Sequence, residues 1–233
     1  MKTARSGRPA SGTRGARVVL SFAGALFLAG LALLMGGCLN DEVKGSGNAV
    51  TEDRNVSGFT ELRVQNALTV EVQIGEPQAV MVSGDDNIVK IIETDVSGDQ
   101  LTIRAEKDYS ADAPIRVAIT VPHLTALDVS GASNVTVAGL NEPELEIEAS
   151  GASEVSISGS AGQIDVEASG ASRLHLENLT VRQAEVDASG ASTIDLQVSD
   201  SLTGDASGAS TIRYSGSPQV DVDTSGASSV RQQ

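Results

Sequence analysis

From Phe59 onward, apolar and polar residues alternate in short runs that turn-forming residues interrupt. Phe59 to Val64 and Leu68 to Ile74 each place apolar side chains on one parity and polar ones on the other, and further apolar runs cover 79–82, 88–92, 101–105 and 115–121. Gly75-Glu76-Pro77, the run from Ser83 to Asn87, Ser97-Gly98-Asp99 and Asp112-Ala113-Pro114 separate them. Alternation with a period of two predicts β-strands with one buried face, and Gly, Pro, Asn and Asp predict the turns between them. No stretch sustains a helical period. The run from Asn87 to Glu93 is compatible with either strand or helix.

From Leu124 the alternation becomes a repeat. Ser-Gly-Ala-Ser occurs six times, beginning at Ser130, Ser150, Ser169, Ser189, Ser207 and Ser225, with spacings of 20, 19, 20, 18 and 18 residues. Around the second copy, one parity carries Leu145, Ile147, Ala149, Gly151, Ser153, Val155 and Ile157, and the other carries Glu146, Glu148, Ser150, Ala152, Glu154 and Ser156. A unit this short cannot hold a crossover helix with its strands. It fits one coil of a β-solenoid, each coil stacking on the next through parallel ladders. The pattern therefore predicts an all-β chain, a parallel β-helix or β-solenoid with coils of about 18–20 residues, right-handed in preference to the left-handed hexapeptide form because the alternation runs in twos. The small residues of the motif are expected at narrow inner corners, where glycine tolerates the bend. Residues 49–233 are expected to form one domain, with irregular strands over 49–123 and repeat coils over 124–233.

The N-terminal stretch reads differently. Lys2, Arg5, Arg8, Arg14 and Arg17 precede an apolar run from Val18 to Met35, followed by Gly36-Gly37-Cys38. Small residues before a cysteine at the end of such a run are the pattern of a lipoprotein signal, so 1–37 is expected to be a signal peptide and Cys38 the lipidation site. Met35, three residues before the cysteine, stands where leucine is commonest. An uncleaved anchor is the alternative, because the run is about long enough to span a bilayer. Residues 38–48 then form a lipid-anchored flexible tether. Cys38 is the sole cysteine, so the chain holds no internal disulfide.

Cleavage before Cys38 leaves 196 residues that carry all 31 acids and 11 of the 16 bases, a net charge of −20. That balance excludes nucleic acid and anionic lipid headgroups as direct partners, both of which need neutralising Lys and Arg. Phe59, Tyr109 and Tyr214 are the aromatics left, with no Trp, so stacking platforms for sugars or bases are nearly lacking.

Gly45-Ser46-Gly47-Asn48, the run Arg54 to Phe59 with Leu62-Arg63-Val64, Val82-Ser83-Gly84-Asp85 and the Ser-Gly-Ala-Ser copies together resemble the head GIN domain family of bacterial auto-transporter adhesins, over roughly residues 45–230. The resemblance implies an all-β parallel β-helix among exported, often lipid-anchored proteins. It transfers no catalytic residue.

The sharpest candidate for chemistry is an acidic column. Two residues before each motif stand Asp128, Glu148, Glu167, Asp187, Asp205 and Asp223; four residues before it stand Glu146, Asp165, Glu185 and Asp221, interrupted by Ala126 and Thr203. Stacked coils would place like charges ~5 Å apart, at a cost of ~1 kcal/mol per pair in water. Ca²⁺ bridging adjacent carboxylates is one reading. The other is a solvated face that discourages lateral aggregation of a long β-surface. His123 and His175 fall in different coils without a cysteine partner, so no zinc site is expected and no metal or cofactor is required.

The sequence thus points to a non-enzymatic, lipid-anchored module of the cell envelope, adhesin-like or structural, with a protein or glycan ligand. Two alternatives stay open: a polysaccharide-acting β-helix enzyme, given the plentiful acid pairs, and a periplasmic sensor or envelope-stress partner. Leu39 after the cysteine, in place of Asp, favours the outer membrane.

Overall fold

The computed structural model describes residues 42–111 and 113–233. Cys38, the apolar run before it and residues 39–41 of the expected tether lie outside the described residues. The chain first forms β1 (Val43–Lys44), β2 (Ala49–Arg54), β3 (Glu61–Val64), β4 (Thr69–Ile74) and β5 (Ala79–Asp85). A single helical turn, α1 (Asp86–Val89), leads to β6 (Ile92–Ser97), β7 (Gln100–Ala105), β8 (Tyr109–Ser110) and β9 (Arg116–Val121). The repeat supplies β10 (Ala126–Val129), β11 (Asn134–Ala149), β12 (Glu154–Ala168), β13 (Arg173–Ala188), β14 (Thr193–Ala206), β15 (Thr211–Ser215), β16 (Gln219–Thr224) and β17 (Ser229–Gln232). The ambiguous run at 87–93 resolves into the end of α1, which buries Ile88 and Val89, and the start of β6.

Hydrogen bonding sorts the strands into two walls of a β-solenoid of about five turns. The upstream wall, preceding each Ser-Gly-Ala-Ser corner, runs β6, β7, β3, β10, the second halves of β11 to β14, then β16. The downstream wall, following each corner, runs β2, β5, β9, β4, the first halves of β11 to β14, then β15 and β17. All these pairs are parallel except β2–β5, β5–β9 and β6–β7, which are antiparallel and lie at the N-terminal end. Chain order and stacking order differ there: β3 and β4 sit between the coil of β7 and β9 below and the first repeat coil above.

The core is a set of inward ladders. On the upstream wall Leu127, Ile147, Val166 and Val186 stack in register, all at most 1% exposed. On the downstream wall Val70, Val135, Val155, Leu174, Ile194 and Ile212 do the same, each fully buried. Burying each such side chain contributes about 1.5–3 kcal/mol. A coil buries little by itself, so the ladder, not the coil, is the unit of stability. Among the described residues no helix is long and apolar enough to cross a membrane.

The corners depart from expectation in one respect. Gly151, assigned to the apolar parity by the alternation, is exposed, as are Gly170 and Gly190; only the second serine of each motif points inward. The backbone explains this: Gly151 adopts φ +75°, a left-handed conformation that turns this one residue outward, and the inward parity of Leu145, Ile147 and Ala149 resumes at Ser153, Val155 and Ile157. Glycine is still required. A Cβ on Gly170 would stand 2.5 Å from the carbonyl oxygen of Gly151 in the coil below. That carbonyl also accepts the amide of Ala171 at 2.7 Å, so the corners stack backbone on backbone. The far corner tolerates variation instead. Register shifts between Val137 and Leu140, and between Leu176 and Thr180, absorb the differences in coil length.

Candidate functional site

The upstream wall carries the predicted acidic column, and the register aligns it without a gap. Asp128 pairs with Glu148, Glu148 with Glu167, Glu167 with Asp187, Asp187 with Asp205, and Asp205 with Asp223. The second column follows as Ala126, Glu146, Asp165, Glu185, Thr203 and Asp221. Both sets point outward because Leu127, Ile147 and their equivalents point in. The first column from Asp128 to Asp205 and the leading serines of the corners, among them Ser150, Ser169 and Ser189, line an open groove of about 310 Å³.

The groove is chemically one-sided. Burial pushes the Glu148 carboxyl above its ordinary pKa, and the negative charges of Asp128, Glu167 and Glu146 push it further; Arg63 opposes them. At the N-terminal end the column meets a cation, the Arg63 Nε, which donates to Asp128 Oδ2 at 2.6 Å. Arg63 stands in register with Asp128 on β3, so the column begins at an ion pair. Within it, the Asp205 amide donates to Asp187 Oδ1 at 3.0 Å. Among the described residues no three His, Cys, Asp or Glu side chains come together closely enough to hold a metal ion. Neighbouring carboxylates can therefore gather mobile cations, or face a basic ligand, without forming a closed coordination shell.

The downstream wall has the opposite character. His175, Asp195, Arg213 and Arg231 stack in one column. Arg213 forks onto the mostly buried Asp195, with Nη2 to Oδ2 at 2.9 Å, and that hydrogen bond holds the guanidinium pKa above its ordinary value. His175 Nε2 lies 3.4 Å from Glu154. His123, the other histidine, pairs with Glu142 at 3.0 Å on a different coil, so the structure does not bring the two together.

Three features escape the sequence pattern. The stretch Gln65-Asn66-Ala67-Leu68 is a corner without the motif. Asn66 has φ +75°, and its carbonyl accepts the Ala132 amide at 2.8 Å, as each corner glycine does for the coil above. Asparagine is the residue after glycine that best tolerates this conformation, which is the one local signal available. Arg63 gives no hint of its role, because its partner lies 65 residues away. The inward serines are the third: Ser192 Oγ donates to the Ser189 carbonyl at 3.0 Å, whereas the buried hydroxyls of Ser153 and Ser172 have no partner among the described residues.

Fold and site together define a β-solenoid that displays ordered rows of charge on rigid walls. Residues 58–218 match the family described as "Putative auto-transporter adhesin, head GIN domain". The match covers well over half of the chain, and the chain belongs to that family. It is similar in fold to a "putative adhesin" of Bacteroides fragilis at 18% identity and a TM-score of 0.69, covering 82% of this chain and all of that one. A second "putative adhesin", from Parabacteroides distasonis, is 21% identical with a TM-score of 0.51, over 83% of this chain and all of the other. A "putative lipid binding protein" of the same species is 17% identical with a TM-score of 0.52, over 82% of this chain and 99% of that one. No curated protein matches the chain.

Proposed function

We propose that the chain is a non-enzymatic binding module of the cell envelope, lipid-anchored through Cys38 and held at the outer membrane, whose upstream wall engages its ligand. The observation that carries this reading is the unbroken column from Asp128 to Asp223, a periodic row of charge on a rigid scaffold. Membership in a family described as auto-transporter adhesins, and the adhesin description of two structural relatives, support it. A repeating row suits a ligand that itself repeats, such as a polyamine-bearing or cation-bridged glycan, or a basic stretch of protein. Divalent cations belong to the proposal as loosely held counterions between neighbouring carboxylates.

The test is a polysaccharide and protein panel read for both binding and cleavage, with the protein and with a Glu167→Gln, Asp187→Asn variant. Binding weakened by the variant, with no turnover, supports the module. Turnover abolished by replacing a single carboxylate overturns it in favour of the enzyme. Crosslinking in intact cells identifies a partner if the chain instead serves as a sensor. Mass spectrometry of the mature N-terminus checks the anchor, and an unacylated Cys38 removes it.

A further inference from the structure

The C-terminal coil leaves both walls open. Among the described residues β16 pairs only with β14 and β17 only with β15, so no strand stacks on either. The inner parity continues into both: Val220 stands over Leu202, Val222 over Gly204 and Val230 over Ile212. Leu202 and Ile212 are fully buried, whereas Val220 is 40% exposed and Val222 and Val230 are half-buried. The apolar core therefore runs out to this end, in contrast to the N-terminal end, where α1 buries Ile88 and Val89.

The backbone here is unpaired on one side. Ser225 donates its amide to the Ala206 carbonyl at 2.9 Å and Ser229 to the Ser210 carbonyl at 3.0 Å, both in the coil below. Successive residues of a strand bond to opposite neighbours, so Asp221, Asp223 and Arg231 bond downward, and Val220, Val222 and Val230 turn their amides and carbonyls to the open end. Such an edge is a template for a further strand. Charge divides it in two. β16 carries Asp221 and Asp223 on its outer face and no base, whereas β17 carries Arg231 and no acid. All three are exposed, and none of them has an ion pair among the described residues.

We infer that this end binds the same end of a second copy, with β16 of each against β17 of the other in antiparallel pairs. The chain reverses at the corner, so the two strands run in opposite directions. A half-turn about an axis along the strands exchanges the walls and keeps each direction, which brings β16 against β17 head to tail. Where Val230 of one copy lies opposite Val222 or Thr224 of the other, the apolar residues stay inside and the free amides and carbonyls meet. In both of these registers Arg231 faces an aspartate, Asp221 or Asp223. The alternative half-turn sets β16 on β16 and β17 on β17, with acid opposite acid and arginine beside arginine, which is unfavourable. Charge therefore selects the exchanged arrangement, an isologous contact in which each copy gives an acidic strand and takes a basic one. This inference goes beyond the proposed function, because it uses the end of the solenoid and not the face of the acidic wall.

The end face of one coil is small, so the pair is weak. Sedimentation equilibrium of the protein in about 0.15 M salt, where more distant charges are screened, is expected to show monomer and dimer with Kd on the order of 0.1 mM. Arg231→Glu in one chain, and Asp221→Lys with Asp223→Lys in another, are each expected to weaken self-association about tenfold. Mixed in equal amounts, the two variants are expected to associate with each other about as tightly as the parent does, because every acid again faces a base. Damage to the fold would not produce that recovery. Val230→Pro removes an edge-facing amide where an edge strand tolerates proline, and is expected to weaken association about tenfold. It decides the matter if a charge variant does not fold. A parent that stays monomeric up to about 1 mM, variants that associate as the parent does, or a mixture that gains nothing over its components overturns the inference.

Discussion

The two walls of each coil are built from the same alternation and pack on the same core, yet they manage charge in opposite ways. Downstream of the corner the ion pairs join unlike charges: Asp195 sits under Arg213 and Glu154 lies beside His175, although Arg231 follows Arg213 in the same column. Upstream, six acids stack with a single cation at one end. If stability alone governed the surface, both walls would resemble the first, because like neighbours in register oppose folding and unlike ones support it. The upstream row costs stability that the core ladders offset, and the proposed ligand-binding role is the function that cost would serve.

The comparison is first tested where both walls share a device, the corner. Gly170→Val puts a Cβ at φ +71°, 2.5 Å from a backbone oxygen that cannot move without its own coil. A loss of about 3 kcal/mol or more is expected in chemical denaturation. Unchanged stability would mean that the corners do not stack as described. Next in size, Asp195→Ala strips Arg213 of its fork on the downstream wall and is expected to cost about 1–2 kcal/mol. The serines inside the corners separate by partner. Ser192→Ala loses a hydroxyl hydrogen bond and is expected to cost about 1 kcal/mol, whereas Ser172→Ala removes an unpartnered buried hydroxyl and is expected to be neutral or stabilising.

The smallest effects decide the comparison most directly. Glu148→Gln should stabilise by a few tenths of a kcal/mol at low salt and lose that gain in high salt, the reverse of a downstream substitution. Its pH dependence has a definite sign. Because the folded protein holds this carboxyl above its ordinary pKa, the charged form opposes folding at neutral pH. The penalty is relieved as pH falls through the raised value toward that of an ordinary carboxylate. The melting temperatures of parent and variant should therefore differ near neutrality and converge in acid. Millimolar Ca²⁺ should raise the parent's melting temperature, and less so that of Glu167→Gln, Asp187→Asn. Equal response of the two would detach cations from the column.

Much of this was legible in the chain. The spacing of Ser-Gly-Ala-Ser and the two parities beside it lead to stacked coils, inward Val, Ile and Leu, and outward acids in columns. The orientation of the corner was not legible, because a single left-handed residue turns out of the parity that the positions on either side of it obey. Nor was the corner at Asn66, where Gln65, Asn66 and Leu68 replace three of the motif's four residues. The unpaired edge of β6 depends on which strands lie elsewhere, and no local pattern reports that.

Period and parity are properties of neighbours in the chain, so the sequence by itself determined the strand pattern, the coil length and the acidic rows. Stacking order is a property of the whole. β3, β4, β7, β9 and β10 share one alternation and could pair in several orders with similar local energy. Only the closed structure, through total burial and capping of its N-terminal end, set β3 between β7 and β10. That placement brought Arg63 to the end of the column and left β6 at the edge.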